Sequence, residues 1–185
     1  YHNKNYSKGI DSYKKQFPFK KKILIDASPS YLYSPDVPSR LKEHLPIDTK
    51  FIILLREPVS RSYSAWNMYR DLKQNKAIID DFSELEKTDT RYRLISTLYE
   101  TDKFPSFEEV LEWEISLIKQ GKSDEIIEPS ILRRGFYVKQ IKQWLSLFPR
   151  ENFLFLENVM LRDDKRDATL SKIVDFLGIK NETNW

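Results

Sequence analysis

The sequence predicts an α/β fold with a parallel sheet, and three observations carry that prediction. Residues 51–55, Phe-Ile-Ile-Leu-Leu, are an unbroken apolar run without helical spacing, the pattern of a strand buried on both faces. Two more short apolar runs, Lys22–Asp26 and Glu151–Glu157, share that character. Amphipathic stretches at helical spacing alternate with these runs, and strands alternating with helices build parallel sheets.

Composition sets the bounds. A chain of 185 residues suffices for one domain with a real core, and 40 % hydrophobic with 14 % aromatic residues argues for a folded chain. The net charge of +3, from 31 basic and 28 acidic residues, is too balanced to imply a nucleic-acid partner. There is no cysteine, so disulfides and thiolate metal sites are excluded. The two histidines, His2 and His44, lie far apart and read as surface residues, so no metal is expected. No run approaches the length of a membrane-spanning helix.

The elements follow in order. A helix is expected over Ser7–Gln16: Ser7 can cap it, Ile10, Tyr13 and Phe17 recur at helical spacing, and Pro18 ends it. After the strand at Lys22–Asp26 comes Asp26-Ala27-Ser28-Pro29-Ser30-Tyr31, by its residues a strand-to-loop turn punctuated by Pro29. A helix over Pro38–His44 packs Leu41 and Leu45 and stops at Pro46. The strand at 51–55 and a helix over Val59–Leu72 come next; Trp66 and Tyr69 on that helix could stack on a base or sugar, but at this spacing they read as core. Residues 73–104 are charged and lack clean periodicity, which reads as solvated faces or loops. Ser106-Phe107-Glu108-Glu109 is a capping box that opens a helix to about Gln120. An amphipathic helix carrying Ile141, Trp144, Leu145 and Phe148 ends at Pro149, with Arg133 and Arg134 in the loop before it reading as solvated. The strand at 151–157 leads to a last helix, Ala168–Leu177, closed by Gly178.

The stretch that organises the chain is Lys50-Phe51-Ile52-Ile53-Leu54-Leu55-Arg56-Glu57-Pro58-Val59-Ser60-Arg61-Ser62-Tyr63-Ser64. A buried strand stops at a charge, and Pro58 suits the first turn of a helix. Ligands of parallel sheets bind at the carboxyl ends of strands, and a helix N-terminus adds free N–H donors and a positive dipole end. Arg56 and the Ser64 hydroxyl, two turns into the helix, together suit a phosphate. Arg56 as partner in a structural ion pair is the other reading of the same residues.

This stretch closely resembles the 3′-phosphate-binding segment of sulfotransferases that use 3′-phosphoadenosine 5′-phosphosulfate (PAPS). The similarity is to the carbohydrate branch, which includes the Golgi heparan sulfate sulfotransferases and their bacterial relatives. Its pattern is a strand, Arg-Asp/Glu-Pro, two variable residues, Arg, two variable residues and Ser, and every fixed position is filled. The segment Asn5–Pro18, the Asp-x-Ser-Pro-x-Tyr at Asp26–Tyr31 and the distal Gly-x-Tyr, Trp-Leu, Phe-Pro, strand, helix, Phe-Leu-Gly order are also similar to that family.

The resemblance implies a three-layer P-loop-kinase-like fold, with residues 1–185 forming part of one sulfotransferase domain. It implies that Arg56 and Ser64 hold the 3′-phosphate of the donor and that Ala27, Ser28, Pro29 and Ser30 line the acceptor and donor cleft. Heparan sulfate members often carry lysine where this chain has Ala27, so the acceptor need not be heparan-like. The family's lysine-bearing phosphosulfate loop and catalytic base are expected upstream of Tyr1, and its closing basic loop after Trp185, so no catalytic residue is named. The implied reaction moves a sulfuryl group from PAPS to a hydroxyl or amine, releasing PAP, without a metal. The implied acceptor is a glycan or small molecule; the implied compartment is the Golgi lumen for a eukaryotic member and the cytoplasm for a bacterial one. Among rivals, a nucleotide kinase needs a glycine-rich loop that four glycines cannot supply. A non-catalytic nucleotide- or anion-binding module and a scaffold with Arg56 ion-paired remain the alternatives.

Overall fold

The apolar run at residues 51–55 forms a strand that pairs in parallel with a second at residues 153–157. The structure is a computed structural model that describes residues 8–15, 17, 24–87, 90–92, 95–100, 102–122 and 127–179. In chain order the elements are α1 (Gly9–Lys14), α2 (Val37–His44), β1 (Phe51–Leu55), α3 (Pro58–Leu72), α4 (Lys76–Glu86), α5 (Ile95–Tyr99), α6 (Phe107–Lys119), α7 (Tyr137–Leu145), β2 (Phe153–Glu157) and α8 (Arg166–Leu177). Short 3-10 turns include Arg133–Gly135 before α7 and Arg150–Asn152 before β2. The chain divides into two units, one of residues 1–55 and 137–185, the other of residues 56–136.

The first unit is α/β. Its sheet, β1 beside β2, aligns Phe51 with Phe153 and Leu55 with Glu157. The core is aromatic: the Phe51 ring meets Trp144 at 5.2 Å, Phe148 at 4.7 Å and Phe153 at 5.0 Å between centroids. Val37 and Leu41 from α2 close the cluster. Burying one such side chain contributes about 1.5–3 kcal/mol, so this cluster, more than a two-stranded ladder, holds the unit. At the far end of α8, Gly178 adopts φ 64° and the Ile179 N–H donates to the Val174 carbonyl. That left-handed position is why glycine stands there.

Two expectations are corrected here. β1 is not buried on both faces: Phe51 and Ile53 pack inward, while Ile52 and Leu54 are 38 % and 50 % exposed. An apolar run signals a strand but does not by itself supply cover for its second face. The strand expected at Lys22–Asp26 does not form over its described part, residues 24–26, where Leu24 and Ile25 are exposed. Strand preference stabilises only where neighbours cover the side chains, and these two are 52 % and 74 % exposed. Asp26 is instead fixed by its side chain, which accepts from the Tyr13 hydroxyl at 2.5 Å and the Tyr31 hydroxyl at 2.7 Å. The expected Ser7 cap falls outside the described residues, and α1 spans Gly9–Lys14.

The second unit packs α3 against α4–α6 and the segment 127–136. Residues 73–104, unreadable by periodicity, form α4, capped by the Asn75 side chain, then a short turn and α5. Ile95, Tyr99 and Phe104 make their core, with Ile79 and Phe82 of α4 against it. Asp80, Asp81 and Glu84 face solvent, as the charge run implies. The capping box of α6 is present: the Ser106 hydroxyl accepts from the Glu109 N–H at 3.2 Å and the Glu109 carboxylate from the Ser106 N–H at 2.7 Å.

Candidate functional site

Arg56 follows β1 directly and is half-buried; Ser64 stands two turns into α3 and is exposed. Between them lie Arg61 and Ser62, both bonded to the Ile131 carbonyl. The Ser62 hydroxyl is buried, 2.8 Å from the Ile131 carbonyl and 2.9 Å from that of Pro58. The Arg61 guanidinium also donates to the Ile131 carbonyl, and to the Ser62 hydroxyl at 3.2 Å. Helical geometry separates the two serines: residues two apart point about 200° from each other around the axis. Burial of Ser62 against segment 127–136 therefore turns Ser64 outward.

The helix N-terminus does not offer the free donors expected of it. The Glu57 side chain accepts from the Val59 and Ser60 N–H groups, both at 2.7 Å. Pro58 has no donor, and the Arg61 N–H goes to the Glu57 carbonyl. Hydrogen bonds from Ser60 and then Val59 hold the Glu57 carboxyl below its ordinary range, and the nearby Arg56 charge adds to the effect. An anion at this point is thus left to side chains, among which Arg56 is half-buried and Ser64 exposed. The signal in the sequence was an acidic residue immediately before the proline of the first turn.

Arg133 and Arg134 are not solvated, contrary to the expectation for that loop. Arg133 is 1 % exposed and pairs with Glu114, itself fully buried, at 2.8 Å; it also donates to the Ile127 carbonyl at 2.8 Å. The Glu114 carboxylate accepts from the Leu132 N–H as well, at 2.5 Å. Arg134 pairs at 2.6 Å with Glu128, whose other oxygen accepts from the Tyr69 hydroxyl at 3.0 Å and the Ser130 N–H at 3.1 Å. Burial, then the Glu128 charge, pushes the Tyr69 hydroxyl well above its usual range. Tyr69 is therefore a structural partner of segment 127–136.

Ala27 and Pro29 are exposed and Ser28 and Ser30 half-buried, in a turn where the Ser34 N–H donates to the Ser30 carbonyl at 3.0 Å. These four belong to the first unit, Arg56 and Ser64 to the second. Among the described residues no group of three or more His, Asp and Glu could hold a metal, and no helix is long and apolar enough to cross a membrane.

The family described as "Sulfotransferase domain" matches residues 1–184, and so spans both units. The chain belongs to that family. This sulfotransferase domain is 28 % identical over 182 residues to mouse heparan sulfate glucosamine 3-O-sulfotransferase 3B1, covering 96 % of this chain and 37 % of that protein. It is 26 % identical over 177 residues to the human heparan sulfate glucosamine 3-O-sulfotransferase 6, covering 95 % of this chain and 41 % of that protein. The sulfotransferase domain thus spans well under half the length of these curated relatives. A crystal structure of a sulfotransferase from Alicyclobacillus acidocaldarius superposes with a TM-score of 0.62 at 24 % identity, covering 94 % of this chain and 58 % of that one. The likeness shows the fold, α/β of the sulfotransferase type.

Proposed function

We propose that this domain serves a PAPS-dependent sulfotransferase whose acceptor is a carbohydrate, and that Arg56 and Ser64 hold the donor's 3′-phosphate. The observation that carries the reading is the opposite placement of two serines on one helix, Ser62 buried and Ser64 exposed, with Arg56 half-exposed just before that helix. Arg61 and Ser62 are tied to the Ile131 carbonyl, while Ser64 is left exposed and Arg56 half-exposed at the start of α3. Glu57 occupies the donors of the first turn, so the phosphate charge falls to the Arg56 guanidinium, which suits phosphate geometry. A hydroxyl from Ser64 supplies the second contact. Ala27, Ser28, Pro29 and Ser30 are proposed to line the cleft, and residues 1–185 to be part of a single domain; the family match running through both units supports this.

In the proposed reaction the sulfuryl group passes from the donor's phosphate oxygen to an acceptor hydroxyl or amine. The bond from sulfur to the bridging oxygen breaks as the bond to the acceptor forms, and a base takes the acceptor's proton. PAP leaves. Arg56 and Ser64 act at a non-reacting phosphate and contribute by holding the donor in register. The relatives named as heparan sulfate 3-O-sulfotransferases support a glycan acceptor. The test is acceptor-dependent release of PAP by the full-length protein, with a panel of glycans and PAPS. Sulfated product with at least one glycan is expected. PAP binding without transfer to any acceptor would instead favour a non-catalytic nucleotide-binding module.

A further inference from the structure

The face of α3 next to Ser64 carries a second feature that the phosphate grip does not use. Tyr63, Trp66 and Arg70 recur at intervals of three and four residues and so form one stripe along the helix. The Tyr63 and Trp66 rings stack, with centroids 5.6 Å apart and planes at 28°. Phe107 stands edge-on to Tyr63 at 5.4 Å and lies 6.1 Å from Trp66. Trp66 is fixed further by its indole N–H, which donates to the Pro105 carbonyl at 3.0 Å, and by the Arg70 guanidinium 4.8 Å from its ring. These rings border a groove of about 430 Å³ whose other walls include Lys103 and Glu108. That volume lies within the range of about 300–1,000 Å³ common for ligand pockets.

We propose that this groove is a sugar subsite in which a pyranose unit of the acceptor glycan stacks on Tyr63; the inference rests on the glycan reading above. Tyr63 is 51 % exposed, yet its neighbours hold its ring in place. It is therefore preorganised apolar surface, which a ligand covers at little ordering cost. The rim mixes signs. Lys103 is offset by Glu108, and Arg70 is held by Asp71 at 2.9 Å. A phosphate or a densely sulfated chain gains little there, whereas a sugar ring has an apolar C–H face for the aromatic floor and hydroxyls for the rim. Tyr63 and Ser64 point about 100° apart around α3, so a sugar on one does not displace a phosphate on the other.

The test uses the full-length protein and its Tyr63→Ala and Tyr63→Phe variants. Each is titrated with cellotetraose, chitotetraose and an unsulfated N-acetylheparosan tetrasaccharide, followed by saturation-transfer NMR, and with PAP by calorimetry. At least one tetrasaccharide is expected to bind, with saturation strongest on ring C–H protons and little dependence on salt. Tyr63→Ala is expected to weaken it about tenfold, Tyr63→Phe to bind like the parent, and PAP affinity to stay unchanged in both. No tetrasaccharide binding, or equal binding by Tyr63→Ala, overturns the subsite while PAP binding still stands. Loss of PAP affinity in Tyr63→Ala overturns it too, by putting the donor's base in the groove. Tetrasaccharide binding through Tyr63 by a protein that binds no PAP sustains the subsite and overturns the sulfotransfer reading alone.

Discussion

Ser62 and Ser64 stand two residues apart on α3, yet they have opposite surroundings. Ser62, with Arg61, is bonded to the Ile131 carbonyl, in a region whose buried charges, Glu114 with Arg133 and Glu128 with Arg134, hold segment 127–136 in place. Ser64 is exposed, and Arg56, just before α3, is half-buried. Helical phase thus sends one serine into the fold and the other to solvent. On the proposed reading, the same motif contains a clamp that fixes the helix and a grip for the donor's phosphate.

If that division is right, charges of the clamp should affect stability and those of the grip should affect binding. The largest effect is expected for Arg133→Ala, which strands the Glu114 carboxylate at 0 % exposure. Breaking a buried pair in this way costs about 3–5 kcal/mol, to be read from urea denaturation. Replacing both members by apolar residues, Arg133→Met with Glu114→Leu, should recover most of that loss. Arg56→Ala should weaken PAP binding by roughly 1.5–3 kcal/mol, the range for a charged hydrogen bond. The two serines sharpen the contrast. Ser62→Ala should cost about 1 kcal/mol of stability, and Ser64→Ala about 1 kcal/mol of PAP affinity with none of stability.

The smallest effect concerns Glu57. Its carboxyl is held below the ordinary 4.5 by the N–H groups it caps, so it binds fewer protons in the folded state. Its contribution is fully present above that ordinary value and is lost as pH falls through the lowered one. Melting temperature should therefore decline less between about pH 6 and pH 3 in Glu57→Gln than in the parent. Equal declines would show that the cap is not ionised.

What could be read from the sequence was what local residues decide. β1 and α3 followed from five apolar residues and Pro58, α6 from its capping box, and the end of α8 from Gly178. Arg56 and Ser64 were singled out by their place after a strand and on a helix, and their assigned role came from the resemblance to the sulfotransferase 3′-phosphate segment. Pairing over long sequence distances was not readable. Arg133 looked solvated because its partner, Glu114, lies on another helix, and Leu24 and Ile25 looked like strand because sequence does not show which neighbours cover them. The occupied helix N-terminus could have been anticipated, since Glu57 precedes Pro58 where a capping side chain belongs. The segment 73–104 hid its helices because its apolar contacts, such as Phe82 with Tyr99, join separate elements.

The most direct test of the account is calorimetric titration of PAP into the full-length protein and into its Arg56→Ala variant. The account predicts binding by the parent and a loss of roughly 1.5–3 kcal/mol in the variant. Equal PAP affinity in the two would contradict it and return Arg56 to the role of a structural ion-pair partner.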